Sequence, residues 1–397
     1  MKICAIICEY NPFHSGHEYQ LRKIKNQFDN LICIMSGNFV QRAEPSIVEK
    51  TVRAKTALLS GASMVIELPT VYATANGEKF ADGAVKTLSI FSDISALAMG
   101  CESKNEELLF AIAKIQSEEN QNFKNVLNHH LNNGLSYAQA ITLATTNEAH
   151  KQGFSIDECT TTLHQPNNLL CIAYIKALKK YLPNIKPILI PRVGNEYNNL
   201  SHLGDYLSAS AIRNILLSED GESATPYLPN SEVIFQEIKN HLADYDLFQK
   251  LCLLNLRMKT EQEIALTPDC GEGIEYKLKE NSYKATNLYE LLENCKSKRY
   301  TLSRLKRICL HSLLGINKNI ISTNNFIPPR LLAINENFKH YLTENGKNMI
   351  IRSSDLERFN NTFYSEYFTI ENRSAQIYSL LSNKPDNLFV PSKLITI

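Results

Sequence analysis

Short apolar runs and amphipathic stretches alternate along residues 1–200, and few folds accept that pattern. "KICAIIC" (2–8), "NLICIMSG" (30–37), "SMVIELP" (63–69), "ALAMG" (96–100) and "IKPILIPRV" (185–193) read as strands. Between them, "HEYQLRKIKNQF" (17–28), "EKTVRAKTALLSG" (49–61), "GEKFADGAVKTLSIF" (77–91) and "NNLLCIAYIKALKKYL" (167–182) carry helical spacing. Gly61 is placed to cap the second of these. Strands that are apolar almost throughout must be covered on both faces, which predicts an α/β fold with a doubly wound parallel sheet. Residues 105–150 look purely helical and interrupt the alternation like an insertion. Past about residue 225 the strand signal fades into helical patterns. A chain of 397 residues is too long for one ordinary domain, so the expected division is an α/β unit over 1–225 and a mainly α-helical unit over 226–397.

The composition narrows the class. With 44% hydrophobic residues the chain can build real cores. A net charge of +1, from 42 Lys+Arg against 41 Asp+Glu, leaves only local clustering to argue for a nucleic-acid partner. Ten cysteines are scattered without a CxxC pair, so zinc spacing is absent and buried reduced thiols are expected. The N-terminus lacks a signal-peptide h-region, and no run of about 18 apolar residues occurs. Those two observations predict a cytoplasmic protein without a membrane span.

In a doubly wound sheet, ligands bind at the carboxyl ends of the strands. "EYNPFHSGHEYQ" (9–20) leaves the first strand there, with His14 and His17 flanking Ser15 and Gly16. The helix start behind it offers unpaired N–H groups and a positive dipole, and Gly16 admits a phosphate close to the backbone. Two imidazoles at that point can donate to phosphoryl oxygens as charge builds on them, and both are expected to be exposed at a cleft. No GxxxxGK[ST] or GxGxxG stands in this position. "YLSASAIRNILL" (206–217) places Ser208, Ser210 and Arg213 around another helix start, where hydroxyls and one guanidinium suit the β- and γ-phosphates of a nucleotide.

HxGH behind the first strand and SxSxxR behind the last form the two-part signature of the HxGH nucleotidyltransferase superfamily, which this chain resembles. That resemblance implies attack on the α-phosphate of ATP with release of pyrophosphate. Six segments narrow it: "EYNPFHSGHEYQL", "IMSGNFVQRAEPSIVEKTVRAKTALLSGASMVIELP", "QPNNLLCIAYIKAL", "PRVGNEYNN", "LSASAIR" and "RYTLSRLKRICLHSLLGI". They run in order along most of the chain and are similar to the tRNA(Met) cytidine acetate ligase family. Membership would imply an enzyme that forms acetyl-adenylate from acetate and ATP. It would then pass the acetyl group to the wobble cytidine of elongator tRNA(Met), giving N4-acetylcytidine.

The resemblance assigns ATP contacts to Ile7, Cys8, Glu9, Tyr10, Asn11, Pro12, Phe13, His14, Ser15, Gly16, His17, Glu18, Tyr19 and Gln20. Gly100, Asn167 or Asn168, Arg192 and Val193 would complete the pocket with Ser208, Ser210 and Arg213. His14, His17 and Arg213 are the expected catalytic residues. Mg2+ is expected with the nucleotide, and no protein-held metal. Ser15 stands where Asn is usual, Gln20 where His is common, and Val193 where Ile is usual. An alternative is a small-molecule adenylyltransferase of the same superfamily without an RNA substrate.

Two further stretches carry dense polar groups. In "SGNFVQRAEPSIVEKTVRAK" (36–55), Arg53 and Lys55 fit a solvated helix face, whereas Asn38, Gln41 and Arg42 fit a contact with acetate or tRNA. "KSKRYTLSRLKR" (296–307) concentrates Lys296, Lys298, Arg299, Arg304, Lys306 and Arg307, with Tyr300 interleaved and His311 following. A basic helix beside an aromatic suits an RNA backbone and one stacked base. Arg330, Lys339, Lys347 and Arg352 are expected to extend that surface.

Overall fold

A computed structural model describes residues 1–191, 207–322, 325–384 and 394–397. The alternation resolves as β1 (Ile3–Cys8), α1 (Ser15–Lys25), β2 (Asn30–Ser36), α2 (Lys50–Leu59), β3 (Met64–Leu68), α3 (Gly77–Leu88), β4 (Ile94–Cys101), α4 (Pro166–Tyr181) and β5 (Lys186–Pro191). Helices Glu106–Glu118, Gln121–Asn132, Tyr137–Lys151 and Ile156–His164 form the insertion between β4 and α4. Further on come α5 (Ala209–Leu216), α6 (Leu302–Leu314), β6 (Arg330–Ile334), α7 (Thr362–Leu381) and β7 (Ile395–Thr396).

Seven strands pair in the order β5–β4–β1–β2–β3–β6–β7. All neighbours are parallel except β3 and β6, which run antiparallel with Met64 opposite Ile334. The expectation that strands end before residue 225 is therefore corrected: β6 and β7 come from the later part of the chain. β6 is only five residues long and lies amid helices, so its periodicity is too short to stand out.

Side chains alternate between two cores, as strand geometry requires. Ile3, Ala5, Ile32, Ile34, Met64, Ile66, Leu97 and Met99 face the core shared with α3, α4, the insertion and α6–α7. Cys4, Ile6, Leu31, Cys33, Val65, Ala96 and Ala98 face the one shared with α1 and α2. All ten cysteines are free thiols, nine of them buried and Cys8 half-buried. Among the described residues, no helix is long and apolar enough to cross a membrane.

Candidate active site

From β1 the chain winds one way through β2 and β3, while β4 and β5 lie on the other side of β1. The crevice outside the carboxyl ends of β1 and β4 is thus the switch point at which such sheets take ligands. Residues 9–14 leave β1 there and are held from several sides. The Glu9 carboxylate accepts from the Gln41 N–H at 2.8 Å, and burial pushes its carboxyl up from the usual range. Asn11 Oδ1 accepts from the Ile47 N–H at 2.7 Å. Tyr10 sits in the left-handed region (φ 50°), uncommon for a bulky residue, and its ring meets Phe13 at 4.7 Å and His17 at 4.9 Å.

The two histidines cap α1 reciprocally. His14 Nδ1 accepts from the Gly16 N–H at 3.1 Å, and His17 Nδ1 accepts from the His14 N–H at 3.2 Å. The rings lie 3.8 Å apart, inclined by 30°. A ring nitrogen that accepts from a backbone N–H carries no proton, so each neutral imidazole holds its proton on Nε2. The capping pattern thus converts both rings into Nε2–H donors at a helix N-terminus, an arrangement suited to an anion. The expectation that both are exposed at a cleft is corrected: His14 is 4% exposed and His17 half-buried, because capping draws both rings onto the helix end.

The second motif reaches the first. Ser208 caps α5, its Oγ accepting from the Ala211 N–H at 3.2 Å. Ile212 and Leu216 seat that helix on Ile47, Val48 and Val52. Arg213 then donates to the Asn11 carbonyl at 2.9 Å and to Ser210 Oγ at 3.1 Å, and lies 3.7 Å from Glu44. Glu44, which sequence reasoning missed, also lies 3.9 Å from Lys306, so it stands between the two basic regions.

The remaining expected contacts divide. Gly100 is the last residue but one of β4, its carbonyl accepting from Cys171 Sγ at 3.1 Å. Asn168 is buried, and its Oδ1 accepts from the N–H groups of Glu102 and Ser103 at 2.9 and 3.0 Å. Its amide thus latches α4 to the end of β4. Asn167 donates to Glu102 Oε1 at 2.6 Å and is half-buried. Ile7 and Cys8 are half-buried at the end of β1. Pro12 and Phe13 are buried in the loop, and Ser15 and Gly16 open α1. Along that helix Glu18 pairs with Arg22, Tyr19 lies under Lys23, and Gln20 is half-buried. Arg192 and Val193 lie outside the described residues.

Below the crevice, Arg53 overturns the solvated-face expectation. It is 1% exposed and donates to the carbonyls of Glu9 (2.6 Å), Ser36 (3.0 Å), Val48 (2.9 Å) and Gly37, and to Ser46 Oγ (3.0 Å). One guanidinium therefore ties the exits of β1 and β2 together. Beside it Lys50 pairs with Glu67 at 2.8 Å, and Arg330 lies 3.6 Å from the same carboxylate. Arg330 is thus buried in β6, which corrects its placement on the basic surface. A Cβ on Gly37 would meet Glu67 Oε1 at 2.0 Å, so only glycine fits there. Lys55 is half-buried.

The basic stretch is more neutralised than its sequence suggests. Arg299 pairs with Glu272 at 2.6 Å, Arg307 with Asp269 at 2.9 Å, and Lys296 with Glu293 at 3.6 Å. Arg304 donates to the Asp269 carbonyl at 3.0 Å and stacks over the Tyr300 ring at 4.2 Å. Tyr300 is buried beneath it and donates to the Gly271 carbonyl, so its ring is not offered to a base. His311 is buried against Thr74, and desolvation holds it down at about 4. Lys296, Lys298 and Arg299 remain exposed. Among the described residues no group of three or more His, Cys, Asp or Glu could hold a metal ion.

The family model of the HIGH nucleotidyl transferases matches residues 1–389. A tRNA(Met) cytidine acetate ligase of Thermoanaerobacter sp. (strain X514) is 35% identical, covering 96% of this chain and 98% of that protein. One from Clostridium perfringens is 34% identical, covering 96% of each. The crystal structure of Thermotoga maritima TmcAL bound with alpha-thio ATP superposes with a TM-score of 0.90 at 27% identity, covering 100% of both chains. With the sheet, the capped histidine pair and these full-length matches together, the chain belongs to the tRNA(Met) cytidine acetate ligase family of the HIGH nucleotidyl transferases.

Proposed function

We propose that this chain activates acetate with ATP and passes the acetyl group to the wobble cytidine of elongator tRNA(Met). One observation carries the reading: Arg213 donates to the Asn11 carbonyl, three residues before His14, so the two nucleotide motifs form one site. A carboxylate attacks an anionic phosphate poorly, and the site must first neutralise charge. The Nε2–H donors of His14 and His17, at the α1 N-terminus, take the α-phosphate oxygens as charge develops. Arg213, Ser208 and Ser210 take the phosphates that leave as pyrophosphate. Residues 7–20, with Gly100 and Asn167 or Asn168, shape the pocket in this reading.

Mg2+ enters with the nucleotide in this reading. The acetyl-adenylate is a mixed anhydride, so acyl transfer to the cytidine amine needs proximity more than acid–base help. The alternative of a small-molecule adenylyltransferase is not favoured, since relatives matching along the whole chain carry the tRNA ligase name. Residues 1–225 carry the adenylation step in this reading, and 226–397 present the tRNA.

The direct test is mass spectrometry of nucleosides from tRNA(Met) incubated with the protein, ATP and acetate. N4-acetylcytidine at the wobble position, dependent on both small molecules, is expected; its absence sinks the reading. Arg213→Lys divides the steps. It should slow acetyl-adenylate formation strongly yet acetylate tRNA at near wild-type rate when given the preformed intermediate, which lacks the two outer phosphates.

A further inference from the structure

The described residues include four exposed tyrosines, and three of them fall between positions 276 and 289. Tyr276 and Tyr283 lie on helix Ile274–Lys284, and Tyr289 opens helix Leu288–Cys295. Their exposures are 62%, 61% and 67%. Positions 276 and 283 are seven apart, so both rings project from one side of the helix. Lys279 Nζ lies over one face of the Tyr283 ring at 5.0 Å, and both rings still stand more than half exposed.

These helices adjoin the basic stretch. Lys277 Nζ donates to the Cys295 carbonyl at 3.2 Å, and Arg299 pairs with Glu272 just before the first helix. Residues 272–307 hold nine Lys/Arg against five Glu, in a chain whose net charge is +1. The positive charge and the exposed aromatics therefore coincide on one segment.

We propose that Tyr276, Tyr283 and Tyr289 form a stacking platform for unpaired RNA bases, with the neighbouring lysines and Arg299 holding the phosphates. The proposal rests on the reading of tRNA as acceptor, and it moves the stacking role from the buried Tyr300 to these three residues. Exposed tyrosine faces beside lysines are what single-stranded RNA segments require: every base has a π-face, and the backbone is a polyanion. The occupant is the unpaired loop of an RNA, not a second copy of the chain.

The test measures binding of an unmodified tRNA(Met) transcript to the full-length protein at several salt concentrations. Tyr276→Ala/Tyr283→Ala/Tyr289→Ala should raise Kd by at least about 5-fold for each base that loses its ring. The slope of affinity against salt should stay unchanged, because stacking releases no counterions. The corresponding triple Phe variant, which keeps the rings, should bind like wild type. Pyrophosphate release from ATP and acetate without tRNA should be the same in all three proteins.

If wild type binds tRNA and the Ala variant binds it equally well, the platform is refuted. It is equally refuted if the variants alter sedimentation without altering RNA affinity, since the tyrosines then face another protein surface. If wild type shows no affinity for tRNA, the acceptor reading itself has failed, a result distinct from both.

Discussion

The Ile7–Gln20 loop and the 296–307 stretch are both dense in polar residues, and they are held in opposite ways. The loop is fastened by backbone bonds: capping from His14 and His17, Asn11 to the Ile47 N–H, Arg53 and Arg213 to its carbonyls. Its polar groups are spent on geometry and stay in low dielectric, where aimed donors act strongly. The basic stretch is fastened by side-chain ion pairs at the surface, with Glu272 and Glu293 answering Arg299 and Lys296. Such pairs are worth about 0–1 kcal/mol and are screened by salt, so a phosphate can replace the carboxylate at little cost. A buried preorganised site suits bond making, and an exposed exchangeable one suits a large polyanion that must arrive and leave.

Breaking the first region should have the largest effect. Arg53→Met removes the donor from four carbonyls at once, those of Glu9, Ser36, Gly37 and Val48, the last three buried. A loss of at least about 3 kcal/mol in denaturant unfolding is expected, together with loss of acetate-dependent pyrophosphate release. Wild-type stability in this variant would show that the loop is positioned by something else.

The next effect separates the two histidines. His17→Ala should slow acetyl-adenylate formation by roughly 10²–10³. His14→Ala should slow it similarly and also cost about 0.5–2 kcal/mol of stability, since its Nδ1 caps α1. Full pyrophosphate release in either variant would remove the imidazoles from the mechanism.

A third test concerns the anchoring of α7 under β3. Glu371 is buried, accepts from the Thr70 N–H and hydroxyl at 2.7 Å each, and is pushed up to about 7, first by desolvation and then by the nearby Glu67. Above its ordinary value of 4.5 and below about 7, the folded form binds more protons than the unfolded one. Stability should therefore fall by roughly 1–3 kcal/mol as pH rises through that window. Glu371→Gln should remove the slope; a wild type with flat stability between those limits would overturn the assignment.

Breaking the second region should affect the fold least. Lys296→Ala/Lys298→Ala/Arg299→Ala is expected to leave stability within about 0.5 kcal/mol per site. It should reduce the salt slope of tRNA binding by roughly one per lost phosphate contact. Arg304 and Arg307 are unsuitable for this test, since both brace the Asp269 segment. An unchanged slope would return the stretch to ordinary solvated surface.

How much could be read in advance follows from range. The β1–β5 alternation is a local pattern, and the structure shows it as read; the HxGH and SxSxxR motifs do open helices, but His14 is buried there, not exposed. Arg53 was misread because a helical arginine looks the same whether its face meets water or four backbone carbonyls. Tyr300 was misread for a similar reason: whether an aromatic is offered or covered depends on Arg304 and Gly271, not on its neighbours in sequence. The sequence offers Asn167 or Asn168 to the nucleotide alike, and only the fold shows that the Asn168 amide latches α4 to the end of β4.

By itself the sequence determined the parallel core, the family, and the residue types at the ligand edge, because strand apolarity, helix spacing and the HxGH and SxSxxR motifs are short-range properties. Only the tertiary structure decided that β6 and β7 complete the sheet and that Arg330 is buried against Glu67. It alone decided that Arg213 meets Asn11 across two hundred and two positions of chain. Those outcomes depend on which distant surfaces exclude water together, and burial of that kind leaves no mark on the residues nearby in sequence.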